Sequence, residues 1–381
     1  MAARNPFPFG RVVTGEDFAD REPELAELIR DLEAGQSILL ISPRRYGKTS
    51  LMVEALRRLE KRGHLTALVD LFGSVTPTDL AERFTREVVV RHYTRMESLA
   101  RFLREGLGRL RPELTLHPDG TVGLGLRREA EALGEEVVLE EVLDAPQALA
   151  TREKRRLMVV LDEFQEIGNL DGEWLLKLIR SKIQHHDAVS YAFTGSKKHA
   201  LEQIFADPSG AFYRSARPHG LGRIPPGPFG EYIAARFDAT HLRLPEGMVE
   251  RILGLTEGHP YFTQQLCHEM WNLGTARGAV SEEDFEGAIE RILENQGELY
   301  AQIWDGLSRY QRRMLRALAT GGTDSPYASA FIKRNRLTSA SHAKRSLGGL
   351  LEKQLVEKED GTYRVADLFL REWVVRSLSA R

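Results

Sequence analysis

The sequence predicts an α/β protein with a parallel-sheet core, followed by an all-helical stretch and a C-terminal winged helix. Three observations carry this. Unbroken apolar runs alternate with helical patterns, as in strands buried on both faces. The cluster Pro225-Pro226-Gly227-Pro228 marks a boundary, beyond which the pattern is helical throughout. The residues from about 310 onward read helix, helix, helix, hairpin. The expected division is therefore 1–226, with a hairpin insertion at about 112–127, then 227–297 and 298–381.

The chain is ordered around Ile38 to Leu51, I-L-L-I-S-P-R-R-Y-G-K-T-S-L. Ile38 to Ile41 reads as a buried strand, Ser42 to Tyr46 as a loop, and a helical pattern runs from Ser50 to about Lys61. Strand, loop, Gly-Lys-Thr and helix is a phosphate-binding P-loop. Gly47 lets the backbone turn tightly toward an anion. The N–H groups that open the following helix lack intrahelical partners and sit at its positive end. Lys48 would reach the β- and γ-phosphates, and the Thr49 hydroxyl would bind Mg²⁺. The nucleotide-binding set is Ser42, Pro43, Arg44, Arg45, Tyr46, Gly47, Lys48, Thr49 and Ser50. The pattern departs from G-x-x-x-x-G-K-[ST] at its first glycine, where Ser42 stands.

The second decisive strand is Leu157 to Leu161, ending in Asp162-Glu163. Two adjacent carboxylates at the end of a buried strand are costly unless they meet a cation or water. Asp162 would hold the metal, and Glu163 would orient and deprotonate an attacking water. Lys48, Asp162 and Glu163 are the expected catalytic residues, and Thr49 and Asp162 the metal ligands. A further strand, Ala188 to Phe193, ends in Thr194-Gly195-Ser196. It is expected beside the P-loop strand, where Thr194 or Ser196 could sense the γ-phosphate.

The other elements follow in order. Asp20 caps a helix from about Glu22 to Glu33, which Gly35 ends. Leu65 to Leu71 is a strand. Thr76 or Thr78 opens a helical stretch reaching about Leu110. Leu114 to Leu126 alternates around Asp119-Gly120, a hairpin signal. Helices cover about Glu135 to Ala150 and Trp174 to Gln184, and Leu221 to Ile224 is a short strand. Beyond the boundary, helices span Phe229–Asp238, Glu246–Leu255, Tyr261–Gly274, Glu282–Asn295 and about Tyr300 to Ala319. Gly258-His259-Pro260 is either a helix corner or a turn offering N–H groups and His259 to an anion. In the winged helix, Ser339 or Ser341 caps the third helix, and the wing turns on Asp360-Gly361.

Composition narrows the function. The chain is 42% hydrophobic and 28% charged, ordinary for a globular protein. No apolar run has membrane-spanning length and no signal-peptide pattern opens the chain, so a cytoplasmic protein is expected. The single cysteine, Cys267, excludes an internal disulfide and a cysteine-based zinc site. From Ser308 to Arg381 there are 15 Lys and Arg against 7 Asp and Glu, a net of +8 that leaves −10 on the rest. A basic end on an acidic body points to a polyanion partner. Lys333, Arg334, Arg336, Lys344 and Arg345 are the candidate DNA contacts. A winged helix also serves as a packing or interaction module.

In this order, the P-loop, Asp162-Glu163, Gly258-His259-Pro260 and the terminal winged helix resemble the archaeal-type ATPases of the STAND group. These are P-loop proteins of the ASCE class related to AAA+ ATPases and origin-recognition initiators. Asn5 to Leu25 and the run Pro43 to Leu51 also look like the family's. The resemblance implies ATP or ADP with Mg²⁺, and Val12, Val13 and Arg21 bordering the adenine. It implies His259 and Pro260 touching nucleotide from a lid, and a nucleotide-controlled switch. It also implies a homo-oligomer or protein partner, with Arg214 or Arg217 as an arginine finger. The family's sensor strand often ends in an arginine, which Gly195-Ser196 lacks. The expected activity is ATP hydrolysis, slow or partner-stimulated. The alternatives are a non-catalytic nucleotide-regulated DNA-binding or interaction module, and a small-molecule kinase. A water-activating Asp-Glu pair and a basic tail disfavour the kinase.

Overall fold

The computed structural model describes every residue except 1–3, 20, 94, 107–109, 111–112, 117–121, 171, 360 and 380–381. The chain divides into two compact units, residues 10–224 and residues 225–381 with 1–9.

The first unit is built on a five-stranded parallel sheet. Its strands are β1 (Ile38–Ile41), β2 (Leu65–Asp70), β5 (Leu157–Asp162), β6 (Val189–Gly195) and β7 (Arg217–Gly220), in the order β2-β5-β6-β1-β7. The helices are α1 (Glu22–Glu33), α2 (Lys48–Lys61), α3 (Pro77–Val88), α4 (Met96–Gly106), α5 (Arg127–Leu133), α6 (Glu135–Glu153), α7 (Gly172–Ile183) and α8 (Lys198–Ala206). Every residue of β5 and β6 is buried, which is why Leu157 to Leu161 reads as an unbroken apolar run. The two sheet faces carry separate cores. One packs α1 and α2 through Leu28, Leu32, Leu51 and Leu59, the other α3, α6 and α7 through Leu80, Phe84, Val142 and Ile179.

The register sets the position of the strand ends. Leu40 and Ile41 pair with Thr194 and Gly195, as expected for a strand beside the P-loop strand. β6 thus lies between β1 and β5, and Asp162 ends β5 level with Asp70 of β2. The expected hairpin is present as β3 (Glu113–Leu116) paired antiparallel with β4 (Val122–Gly125), a separate two-stranded sheet. Its Asp119-Gly120 turn lies outside the described residues, as do Asp20 and Asp360 of the wing turn.

Several expected elements differ. The strand expected at Leu221–Ile224 is instead β7, at Arg217–Gly220. β7 is an edge strand paired to β1 and mostly exposed, so no apolar run announces it. Leu221 and Ile224 are buried without being strand. The helix expected from Thr76 to Leu110 breaks at Val89–Arg95 into α3 and α4. Thr76 caps α3 in a reciprocal box with Asp79.

The second unit is helical except for one hairpin. It contains α9 (Pro226–Asp238), α10 (Met248–Thr256), α11 (Pro260–Gly274), α12 (Glu282–Asp305), α13 (Arg309–Ala319), α14 (Ser329–Arg334), α15 (Ala340–Glu352), β8 (Val356–Glu359), β9 (Thr362–Val365) and α16 (Leu368–Ser379). Residues 4–9, expected with the first domain, pack here. The Phe7 ring packs tilted against Phe237, with centroids 4.6 Å apart, and Asn5 donates to the His268 carbonyl at 3.0 Å. The break expected between Asn295 and Tyr300 is absent, and α12 runs through it. One mid-helix glycine, Gly297, costs only about 1 kcal/mol, which burial of Ile289, Ile292 and Tyr300 outweighs. The chain breaks later, at Gly306, and Ser308 caps α13 in a box with Gln311. The division expected at 297/298 therefore falls inside α12.

Helices α13, α14 and α15 with the β8–β9 hairpin form the winged helix. Ser339 is the cap of α15, its hydroxyl accepting from the His342 N–H. Thr323 adds a bridge to Tyr363 of the wing. The final helix α16 lies beyond the expected helix, helix, helix, hairpin pattern. The Asp367 carboxylate that opens it accepts the Phe369 and Leu370 N–H groups, both at 3.0 Å.

Candidate active site

The site gathers at the carboxyl ends of β1, β5 and β6. Gly47 adopts φ +85° immediately before α2. No atom lies within 4 Å of the Cβ an alanine would carry there, so backbone conformation rather than space requires glycine. Arg45 also adopts a left-handed φ of +68°. Ser42 is buried, and Pro43, Arg44 and Arg45 are exposed along the loop. Tyr46 points inward and is buried, so what this residue can offer an anion is backbone.

Lys48 opens α2, and its Nζ lies 3.5 Å from Glu163 Oε1. Thr49 donates its hydroxyl to Asp162 Oδ2 at 2.9 Å. The two distant segments thus meet. An ammonium, a hydroxyl and two carboxylates surround one point at a helix N-terminus. This arrangement can neutralise a polyphosphate, hold a hard cation and accept a proton from water.

Thr194 and Ser196, the expected γ-phosphate sensors, both bond to the acid pair. Thr194 is fully buried and donates its hydroxyl to Asp162 Oδ1. The Glu163 N–H also donates to that oxygen, at 3.0 Å. Ser196 donates both its N–H, at 3.2 Å, and its hydroxyl, at 3.0 Å, to Glu163 Oε2. Both hydroxyls are thus committed to the acids.

Burial alone would push the Glu163 carboxyl up. Hydrogen bonding from Gln165, the charge of Lys48 and the donors of Ser196 outweigh it, and the group is held below its ordinary range. Glu163 itself sits at φ +53°, a left-handed conformation that turns its side chain off the end of β5.

The segment before α1 is anchored to α2. The Val13 N–H donates to Ser50 Oγ at 3.1 Å, and the Gly15 N–H to Glu54 Oε2 at 3.1 Å. Hydrogen bonds from Arg57 and then Arg58 hold the Glu54 carboxyl down to about 2, against the effect of burial. Val12 is left half exposed. Arg21 is buried and braces the loop: its guanidinium donates to the Tyr46 carbonyl at 3.1 Å and the Gly222 carbonyl at 2.7 Å. Glu54 and the bracing role of Arg21 were missed in the sequence, because both depend on partners brought in by folding.

Arg217, one of the two finger candidates, is paired with Asp31 at 2.9 Å and Glu27 at 2.7 Å. Arg214 is exposed, over the Tyr213 ring at 5.2 Å. In the second unit, His259 is the N-cap of α11 and packs on Phe262 at 4.4 Å, followed by Pro260 at the first helical position. Glu257, two residues before His259, binds Arg364 of the wing at 2.7 Å and Arg371 of α16 at 2.8 Å. Lys333, Arg334, Arg336, Lys344 and Arg345 are all exposed, and among the described residues no carboxylate pairs with them.

Comparison with known proteins gives the same two modules. Residues 30–204 match the family model described as an AAA domain, and residues 298–376 that of a probable winged helix domain. The chain carries an AAA domain and a winged-helix domain. The AAA domain contains β1, β5, β6 and all four converging side chains. Among solved structures, the chain resembles the Walker-type ATPase of Pyrococcus abyssi, at 20% identity over 97% of this chain and 99% of that one, with a TM-score of 0.66. It resembles the Aeropyrum pernix ORC2 protein in its ADPNP-ADP complexes, at 15% identity over 99% of each chain and a TM-score of 0.56. It also resembles the Aeropyrum pernix ORC1 protein in complex with DNA, at 17% identity over 95% and 94%, with a TM-score of 0.50. At these identities the likeness is one of fold. No curated protein matches the sequence. No helix among the described residues is long and apolar enough to cross a membrane.

Proposed function

We propose that this protein is an ATP-hydrolysing molecular switch of the STAND type, in which the bound nucleotide controls the lid helices and the winged helix. The observation that carries the reading is the meeting of Lys48, Thr49, Asp162 and Glu163 at one helix N-terminus. The β- and γ-phosphates lie against Lys48 and the N–H groups that open α2. Val12 and Val13 border the adenine, with Arg21 bracing the loop behind it. Thr49 and Asp162 are two hard oxygen donors already 2.9 Å apart, which fits Mg²⁺. When bound, the ion neutralises charge on the β- and γ-phosphate oxygens. Glu163 takes a proton from water as the water oxygen bonds to the γ-phosphorus. The bond from that phosphorus to the bridging oxygen breaks, releasing ADP and phosphate.

The lid is residues 227–297 and the winged helix 298–381. His259 and Pro260 meet the nucleotide from the lid turn. The ion pairs from Glu257 to Arg364 and Arg371 support the switch, because they tie that turn to the wing and the last helix. The exposed basic residues of α14 and α15 take a polyanion, for which duplex DNA is the proposed partner. Arg214, rather than the doubly paired Arg217, is the side chain available to a neighbouring copy.

The test is phosphate release by the wild type and by Glu163→Gln, with and without duplex DNA. The wild type is expected to turn over, and Glu163→Gln to lose roughly 100-fold or more with nucleotide binding retained. Equal rates in the two proteins would remove hydrolysis from the reading.

A further inference from the structure

Gln165 belongs to no motif, and its surroundings single it out. It follows Glu163 by two positions, is buried, and donates its amide to Glu163 Oε2 at 2.5 Å. Ser196 brings its N–H and hydroxyl to the same oxygen, at 3.2 and 3.0 Å. Three donors from two elements therefore converge on Oε2. The other oxygen, Oε1, faces Lys48 at 3.5 Å. The carboxylate has one anchored end and one end held only by a long ion pair.

Gly195 explains how Gln165 reaches that position. The Cβ of any other residue there would stand 2.0 Å from Gln165 Oε1 and 2.9 Å from Leu201 Cδ1. Oε1 of Gln165 is buried without a hydrogen-bond partner, pressed against the Gly195 backbone. Reversing the amide would turn a second oxygen toward the Glu163 carboxylate, so the orientation with Nε2 on Glu163 is the favourable one. A buried acceptor left unmatched costs about 1–3 kcal/mol. The chain tolerates that cost where the same side chain fixes the acid. Thr194-Gly195-Ser196 thus supplies, in order, a donor to Asp162, the space for Gln165 and two donors to Glu163.

We propose that Gln165 and Ser196 are positioning residues that anchor Oε2 of Glu163, so that Oε1 is the oxygen presented to the attacking water once Lys48 turns to phosphate. This rests on the hydrolysis reading above and adds to it the side chains that aim the base. Neither residue touches the nucleotide. Their loss lowers turnover without weakening binding, because an acid out of line with the water is a poor base even when the substrate is seated.

The experiment uses the full chain and measures steady-state phosphate release and ATP affinity for wild type, Ser196→Ala, Ser196→Thr, Gln165→Leu and Gly195→Ala. A thermal melt of each variant serves as the folding control. Ser196→Ala and Gln165→Leu are expected to lower kcat about 10-fold with KM and ATP affinity unchanged. Ser196→Thr keeps the hydroxyl and should restore turnover. Gly195→Ala removes no donor group but displaces Gln165, and should reproduce the loss. Ser196→Ala added to Glu163→Gln should change nothing further. Turnover that stays level or rises in Ser196→Ala, a failure of threonine to rescue, or a further loss in the double variant would overturn the positioning role while leaving hydrolysis standing. If the wild type releases no more phosphate than Glu163→Gln, both the hydrolysis reading and this inference fall.

Discussion

At the scale of single residues, the site divides into groups that a motif announces and groups that only a neighbour explains. Lys48, Thr49, Asp162 and Glu163 belong to the first kind: a Gly-Lys-Thr at a helix start and an acid pair ending a buried strand each have few other uses. Thr194, Ser196, Gln165 and Arg21 belong to the second. A hydroxyl at the end of a strand can meet phosphate, metal or a neighbouring acid equally well. The register of β6 against β1 and β5 sends Thr194 to Asp162 and Ser196 to Glu163. In the proposed function Lys48 supplies the charge-assisted contact to phosphate, so Lys48→Ala should weaken ATP binding by about 3 kcal/mol, roughly 100-fold in Kd. Titration calorimetry checks this, and an affinity within a few-fold of wild type would take Lys48 out of the binding site.

At the scale of elements, the strands most legible in sequence are those buried on both faces, and the least legible is edge strand β7. Helix ends are legible where a side chain caps them, as at Thr76 and Ser339, and hidden where packing decides, as in α12. The loop from α7 to β6 carries a pH-dependent contact. His186 Nδ1 lies 2.7 Å from the buried Tyr191 hydroxyl, whose own pKa burial raises. Burial, above the effects of Asp144, His185, Lys182 and Asp187, pushes the His186 imidazole from its ordinary 6.5 to about 4. The neutral ring with its proton on Nε2 accepts the tyrosine proton at Nδ1, and the doubly protonated ring would not. The unfolded chain takes up this proton below about pH 6.5, the folded chain only below about 4. The contribution of His186 is therefore whole above pH 6.5, declines as pH falls toward 4 and then levels off. Urea midpoints across that range should fall less steeply in His186→Gln than in wild type. Parallel curves would show that the ring does not govern the decline.

At the scale of the whole molecule, charge is divided along the sequence, with +8 on residues 308–381 and −10 on the rest. Lys333, Arg334, Arg336, Lys344 and Arg345 are among those cations, exposed on and beside α14 and α15. If each displaces one counterion from duplex DNA, log K should fall with log salt at a slope of about −4.5. Replacing Lys344 and Arg345 by alanine should reduce that slope by about 2 and weaken binding evenly across sequences. Fluorescence anisotropy over a salt series checks both. A slope near zero, or one that the double replacement leaves unchanged, would take DNA away from this face.

The sequence by itself determined the sheet's buried strands, the loop, the acid pair and the order of modules, because each follows from local periodicity or from a short motif with one dominant chemistry. Only the tertiary structure decided which oxygen each donor serves, that Arg21 braces the loop, and why position 195 is glycine. Those answers depend on strand register and on residues as far apart as Arg21 and Gly222, or Thr49 and Asp162. Contacts of that kind leave no period in the chain and no composition to read. They arise only when parallel strands align their ends and bring side chains from separate segments to the same few ångströms.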